Sequence, residues 1–139
     1  MDDEERFERL LEVLAELREA NEETPIVVEG ARDVASLRTL GCSGHIIPLH
    51  SGDPLFQVAE SIAAQAESVI LLTDWDAKGQ RLFDTLRAAL AANGVPSDGR
   101  FRDDLRHCIR PTLNDVESLA GYVARTLARY HRKDLADLR

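Results

Sequence analysis

The stretch Val69-Ile70-Leu71-Leu72-Thr73-Asp74-Trp75-Asp76-Ala77-Lys78-Gly79 decides how the chain is read. Four consecutive apolar residues running toward a Gly suit a strand buried on both faces. The run ends in two acids spaced i, i+2. Side chains two apart on a strand point the same way, so Asp74 and Asp76 are expected in one site at the strand's carboxyl end. Trp75 is expected on the opposite face. A helical pattern follows at once, and open α/β sheets place ligands at such a junction. Two carboxylates aimed at one point repel unless a cation joins them, and paired hard oxygens favour Mg²⁺ or Mn²⁺ over zinc. A plainer account makes Asp74 a helix cap and Asp76 a solvated loop residue; on this stretch alone the two accounts stand level.

With 139 residues, 44% of them hydrophobic, the chain has the size of one ordinary domain with one core. No apolar run approaches the ~20 residues that span a bilayer. Met1-Asp2-Asp3-Glu4-Glu5 is acidic where a signal peptide is basic and then apolar, so a cytoplasmic location is expected. Cys42 and Cys108 lie far apart without metal-ligand spacing and read as reduced thiols. Nothing supports zinc.

The formal net charge of −8 is unevenly spread. Residues 1–25 hold ten acids against three bases, and residues 26–94 hold eight against five. Residues 95–139 reverse the balance, with seven acids and nine bases. A polyanionic partner would therefore meet the C-terminal arginines more readily than the N-terminal helix. The 15 arginines against two lysines suit bidentate phosphate contacts, and equally a GC-rich genome.

Phe7, Leu10, Leu11, Leu14 and Leu17 form the stripe of an amphipathic helix over residues 3–20, its other face almost wholly charged. That face is a packing helix's outer surface or, alternatively, a docking surface for a protein partner. Ile26-Val27-Val28 reads as a buried strand running into Glu29-Gly30-Ala31-Arg32-Asp33. The helix that follows turns Val34, Leu37 and Leu40 inward and closes at Gly41. Asp33 falls in its first turn, where the helix dipole accounts for it; Glu29 precedes the Gly and has no such explanation. His45-Ile46-Ile47-Pro48-Leu49 looks like a second strand, with Pro48 arguing for an edge. The loop around His50 and Ser51 offers phosphate contacts, although a solvated loop explains it as well. A helix over about 55–66 with Phe56, Ala59, Ile62 and Ala63 inward leads to the Val69–Thr73 strand. Next comes a helix over about 77–92, with Leu82, Phe83, Leu86 and Leu90 inward, ended by Asn93-Gly94. Residues 95–99 read as loop, 101–105 as a short helix, and His107-Cys108-Ile109-Arg110 as a fourth strand. Asn114 to Glu117 reads as a capping box opening a last helix, with Val116, Leu119, Ala120, Val123, Leu127 and Tyr130 on one face. Arg125, Arg129, Arg132 and Lys133 lie on its opposite flank. Repeated strand–helix units imply an α/β architecture, a mainly parallel four-stranded sheet with helices on both faces.

Val27-Val28-Glu29-Gly30-x-x-Asp33 and Leu72-Thr73-Asp74-Trp75-Asp76-x-x-Gly79 together resemble the glutamate and Asp-x-Asp motifs of the Toprim domain. That domain is shared by topoisomerases, bacterial primases, OLD-family nucleases and the ribonuclease that matures the smallest ribosomal RNA. The resemblance covers about residues 25–110 and is closest to small stand-alone archaeal Toprim proteins, in length and in Asp115-Val116-Glu117. It implies a three-layer Rossmann-like fold in a single domain over 1–139, with an N-terminal helix (1–24), a Toprim core (25–110) and a C-terminal helix (111–139). It further implies Mg²⁺, with Mn²⁺ as an alternative, held by Glu29, Asp74 and Asp76 for phosphodiester chemistry on RNA or DNA. Glu29 would be the general acid/base and Asp74 and Asp76 the ligands. Gly30 and Gly79 would allow close backbone approach, and Asp33, Lys78 and Arg81 are secondary phosphate-site candidates. The C-terminal flank of Arg125, Arg129, Arg132 and Lys133 is the candidate nucleic-acid contact.

The larger family members carry parts this chain lacks. Tyr122 and Tyr130 fall in the last helix, where no clamp around DNA accompanies them. No Gly-x-x-x-x-Gly-Lys loop is present. The expectation is therefore a small nuclease of the RNA-processing type. A non-catalytic metal- or nucleic-acid-binding module within a larger complex stays open beside it, as does primase-like nucleotidyl transfer.

Overall fold

The computed structural model describes the backbone of residues 1–49 and 52–137 and the side chains of these as far as Tyr130. His50 and Ser51, and the side chains of Arg132 and Lys133, lie outside the described residues. Among the described residues, strands β1 (Ile26–Val28), β2 (Ile46–Pro48), β3 (Val69–Leu71) and β4 (Ser97–Asp98) form one parallel sheet in the order β2-β1-β3-β4. Pro48 sits on the edge strand, where its missing N–H costs no ladder bond.

Strand residues alternate between two cores, as the pleat requires. Ile26, Val28, Ile70 and Leu72 face one layer, with Phe7, Leu10, Leu14, Leu37, Phe101, Leu105, Val116 and Leu119. This layer contains α1 (Asp3–Asn21), α2 (Ala31–Thr39), α5 (Arg100–Ile109) and α6 (Leu119–Asp137). Val27, Val69 and Leu71 face the other, with Ala59, Ile62, Phe83, Leu86 and Leu90 from α3 (Leu55–Ala63) and α4 (Ala77–Ala92). Helices cover both faces, and the result is a three-layer Rossmann-like fold. Cys42 and Cys108 are unpaired and buried.

Helix ends follow their local chemistry. Gly41 (φ 99°) and Gly94 (φ 75°) take the left-handed conformation at the ends of α2 and α4. There the amides of Cys42 and Val95 reach back to the carbonyls of Leu37 and Leu90. Asp2 caps α1 by accepting from the Glu5 N–H at 2.8 Å.

Four expectations are corrected. The fourth strand is not His107–Arg110 but Ser97–Asp98; residues 107–109 belong to α5. The buried positions Phe101, Arg102, Leu105, Cys108 and Ile109 repeat with helical period, and an arginine inside that stripe disguised it. In α3 the inward stripe is Leu55, Val58, Ala59 and Ile62, which leaves Phe56 61% exposed. On α6 Thr126 takes the buried position and Leu127 is 47% exposed. The capping box at residues 114–117 is replaced by a turn in which Asp115 accepts from the Ser118 N–H at 2.8 Å. Asn114 instead gives its carbonyl to the Trp75 N–H at 2.8 Å.

Asn21, expected only to end the first helix, ties three segments together. Its buried amide donates to the carbonyls of Thr24 (3.1 Å) and His45 (3.0 Å) and accepts from the Gly44 N–H (2.8 Å). Gly44 must lack a side chain, because a Cβ there would overlap the Asn21 carbonyl oxygen. We expect Asn21→Ala to cost about 2–4 kcal/mol, since three hydrogen bonds vanish and buried partners are orphaned. Urea unfolding measures this directly; a loss below about 1 kcal/mol would mean that water reaches those groups.

Candidate functional site

In a doubly wound sheet the ligand crevice opens where successive crossovers leave in opposite directions. Here the chain passes from β1 outward to β2, returns past β1 to β3, and then leaves to β4 on the other side. The switch point therefore lies between β1 and β3, and Glu29 and Asp74 follow the carboxyl ends of those two neighbouring strands. The Asp74 N–H donates to Glu29 Oε2 at 2.7 Å, joining residues 45 apart in sequence. Lys78 Nζ lies 4.0 Å from Glu29 Oε1, with the lysine largely in solvent and the carboxylate mostly buried.

Asp74 Oδ1 accepts from the Val116 N–H at 2.9 Å, so the turn before α6 orients this acid. Asp74 has its pKa pushed up to about 7, first by burial and then by the negative fields of Glu29, Asp33 and Asp115; the Val116 bond opposes the rise. Asp33 is also raised, chiefly by burial and then by Glu29, Glu117 and Asp115, against the lowering effect of its bond from the Gly30 N–H at 3.0 Å. Asp33 thus serves as a buried cap for α2 and adds negative potential to the rim.

Asp76 is the N-cap of α4, accepting from the Gly79 N–H at 2.7 Å. The helix-cap role considered for Asp74 belongs to Asp76, one oxygen of which is thereby engaged. Gly79 is sterically required, because a Cβ there would collide with the Asp74 carbonyl oxygen. The Thr73 hydroxyl donates to the Gly79 carbonyl at 2.8 Å and closes this tight strand-to-helix turn. A Cβ at Gly30 would meet nothing within 4 Å, so packing alone does not demand that glycine. Arg81 is exposed on α4, where its carbonyl accepts from the Thr85 hydroxyl. Among the described residues no hydrogen bond or ion pair joins Arg125 or Arg129 to these acids. Arg129 instead lines a cleft with Asp3 and Arg6 of α1, and its guanidinium lies over the Tyr130 ring.

Two arginines that the sequence reading passed over build the floor of the site. Arg102 is 6% exposed. It donates through Nε to the Thr73 carbonyl (3.1 Å), through Nη2 to the Asp74 carbonyl (2.7 Å) and through Nη1 to Gln80 Oε1 (3.0 Å). Its own carbonyl accepts from the Trp75 indole N–H at 2.8 Å. Contrary to expectation, Trp75 is not on the face opposite the acids, because β3 ends at Leu71 and the indole packs in the same core as Leu72 and Val116, whose N–H holds Asp74. Arg110 donates to the Trp75 carbonyl at 2.7 Å. The signal was present at Arg102: a charged residue on an otherwise apolar helical stripe has to be paired inside. Asp115 and Glu117, beside Asp33 and Asp74, were likewise missed as part of the acidic rim.

The donor chemistry suits a hard divalent cation in kind. The rim is built of carboxylates crowded enough to raise Asp74, and Asp74 Oδ2 takes no hydrogen bond among the described residues. It is not assembled as a finished cage: among the described residues no three His, Cys, Asp or Glu side chains are placed to hold an ion.

A parallel sheet with one acid from each of the two strands at its switch point defines a Rossmann-like domain of the acid-rimmed kind. The chain belongs to the Toprim domain family, which matches residues 24–101. It is similar to a UPF0292 protein of Methanocaldococcus jannaschii, 37% identical over 124 residues, covering 88% of this chain and 96% of that one. A UPF0292 protein of Thermococcus kodakarensis is 38% identical over 124 residues, covering 89% and 90%. A solved structure of a protein from Aquifex aeolicus matches with a TM-score of 0.66 at 30% identity, covering 77% of this chain and 94% of that one. Toprim domains generally bind divalent metals such as Mg²⁺, and membership implies a metal-dependent function connected with nucleic acid. Among the described residues no helix is long and apolar enough to cross a membrane.

The raised pKa of Asp74 has a signed consequence. Between about pH 4, where the unfolded carboxyl releases its proton, and about pH 7, the folded chain still holds the proton, so stability falls as pH rises. Asp74→Asn keeps the acceptor for Val116 and removes the charge. We expect it to melt higher than the parent at pH 8 without divalent metal, with the difference vanishing near pH 4. A thermal melt series across that range checks this, and equal melting at pH 8 would refute it.

Proposed function

We propose that the chain is a Mg²⁺-dependent enzyme of phosphodiester chemistry on nucleic acid, a small nuclease of the RNA-processing type. The observation that carries this reading is the pair Glu29–Asp74, linked by a 2.7 Å hydrogen bond at the switch point. Asp74 and Asp76 are the proposed ligands of Mg²⁺, with Mn²⁺ as a substitute; bound there, the ion would polarise a phosphoryl oxygen and steady the leaving oxygen. Asp74 would give up its proton on ligation, because a cation reverses the field that raises it. The free Oδ2 of Asp74 and the second carboxylate oxygen of Asp76 are the atoms available for that role. Glu29 is the proposed general acid/base: one oxygen is anchored by the Asp74 amide and the other lies 4.0 Å from Lys78 Nζ, in the lining of the neighbouring cleft, where it would move a proton. Lys78, on its mobile four-carbon stem, can meet a phosphate oxygen as a point charge. Next to Glu29 an open cleft of about 380 Å³ is lined by Leu49 and apolar side chains of α3 and α4 together with Gly52, Asp53 and Lys78, which leaves room for substrate on that side.

One observation favours a second reading, a non-catalytic module that binds metal or nucleic acid. Among the described residues the acids do not form a ready-made three-ligand cage, one oxygen of Asp76 being engaged in capping α4. The two readings part in a cleavage assay with Mg²⁺ and Mn²⁺ on structured RNA and on single-stranded DNA. We expect metal-dependent cleavage by the parent. Glu29→Gln should lose about 10²–10⁴-fold in rate, the usual worth of a general acid/base. Asp74→Asn should lose both activity and the rise in melting temperature that Mg²⁺ gives the parent. Parent and variants that cut equally would remove these residues from the chemistry. Absence of cleavage with intact metal binding would favour the module.

A further inference from the structure

Helix α5 carries a row of arginines at i, i+4 and i+8: Arg102, Arg106 and Arg110. Residues four apart stand over one another on a helix, about 6 Å from one to the next. The first is buried beneath the Asp74 segment and satisfied by the carbonyls of Thr73 and Asp74. The third, at the helix's C-cap, donates to the Trp75 carbonyl at 2.7 Å, which ties it to the peptide leading into Asp76. Between them Arg106 is exposed. No carboxylate lies within 4.0 Å of Arg106 or Arg110 among the described residues. Together with His107 these two arginines line an open hollow of about 490 Å³ that has no other lining residue among those described.

This concentration of positive charge runs against the chain's net charge of −8. The negative end of the α5 dipole accounts for a cation at Arg106 or His107 in the last turn. It extends to Arg110 at the C-cap but does not account for Arg102 in the first turn of the helix. The row also carries a cost: Arg102 is made a weaker cation first by burial and next by Arg106. Arg106 and Arg110, with open space before them and the nearest hollow-side carboxylate being Asp103 at 4.0 Å from His107, are complementary to a chain of phosphates. Arg110, through its bond to the Trp75 carbonyl, joins this hollow to the peptide that leads into Asp76.

We propose that the hollow formed by Arg106, His107 and Arg110 binds the phosphate backbone of a nucleic-acid strand. The strand would run past the Asp74–Asp76 segment along α5, and α5 rather than the arginine flank of α6 would supply the main electrostatic contact. This rests on the reading of the chain as acting on nucleic acid and adds the path that the strand takes. Sequence-independent contacts of this kind set affinity and salt dependence, not base preference.

The test is fluorescence anisotropy of labelled RNA and DNA, single-stranded and duplex, across a salt series with the full chain. Arg106→Gln, at an exposed position whose side chain has no hydrogen-bond or ion-pair partner among the described residues, should weaken binding threefold to tenfold and reduce the salt slope by about 1. Arg106→Glu should weaken it further, and Arg106→Lys should restore most of the affinity and the slope. Arg125→Gln with Arg129→Gln should change the slope less than Arg106→Gln alone. An Arg106→Glu chain with the parent's melting temperature, affinity and slope overturns the proposal, as does a parent that binds none of these strands. The two readings fail separately. A parent that binds through Arg106 without cutting keeps the hollow and loses the nuclease, whereas undiminished cleavage and binding by Arg106→Glu keeps the nuclease and loses the hollow.

Discussion

A guanidinium group shut away from water has to find acceptors, and Arg102 makes three hydrogen bonds, two of them to the backbone of the site itself. Its fan of hydrogen bonds takes the carbonyls of Thr73 and Asp74 and the side chain of Gln80. At the point where β3 gives way to α4, the backbone carbonyls have no strand partner, and a buried carbonyl without one is costly. Arg102 answers that need while its own carbonyl holds the indole of Trp75. The loop that carries both aspartates is therefore fixed from beneath by α5. Packing of α5 against α1 and the sheet, through Phe101, Leu105 and Ile109, becomes a condition for the geometry of the acids.

Above that floor the electrostatics run the other way. Glu29, Asp33, Asp74, Asp115 and Glu117 come near one another from β1, α2, β3 and the turn before α6, with only partial relief from backbone amides and Lys78. A fold with no use for a cation here would gain stability by replacing one of these acids with a neutral residue. The raised Asp74 is the measure of what the fold tolerates on this rim. Strain of this sort is characteristic of sites that act on charged partners.

Much of this could be read from the residues. The buried strands at Ile26–Val28 and Val69–Leu71, the edge strand at Pro48, the glycine helix ends and the acids at two strand termini all follow from local pattern. Asp76 shows where local reading ends: an acid just before a helix can be ligand or cap, and only the 2.7 Å bond from Gly79 identifies the cap. β4 could not be read because two residues, Ser97 and Asp98, carry no pattern; they are a strand only because β3 lies beside them. Arg102 and Val116 act on the site through contacts 28 and 42 residues away from Asp74, and such distances leave no trace in periodicity.

The hydrogen bond from Val116 to Asp74 bears on how the protein comes into being. A ribosome delivers β1, β3 and the first turn of α4 well before residue 116 emerges. Until it does, Asp74 has its strand and its neighbouring glutamate but not the amide that aims it, and Trp75 lacks the grip of Arg110. The segment that carries the family's likeness, residues 24–101, is in the same position. The turn before α6 thus completes the aim of Asp74, whereas the bond to Glu29 and the cap made by Asp76 belong to residues that emerge earlier.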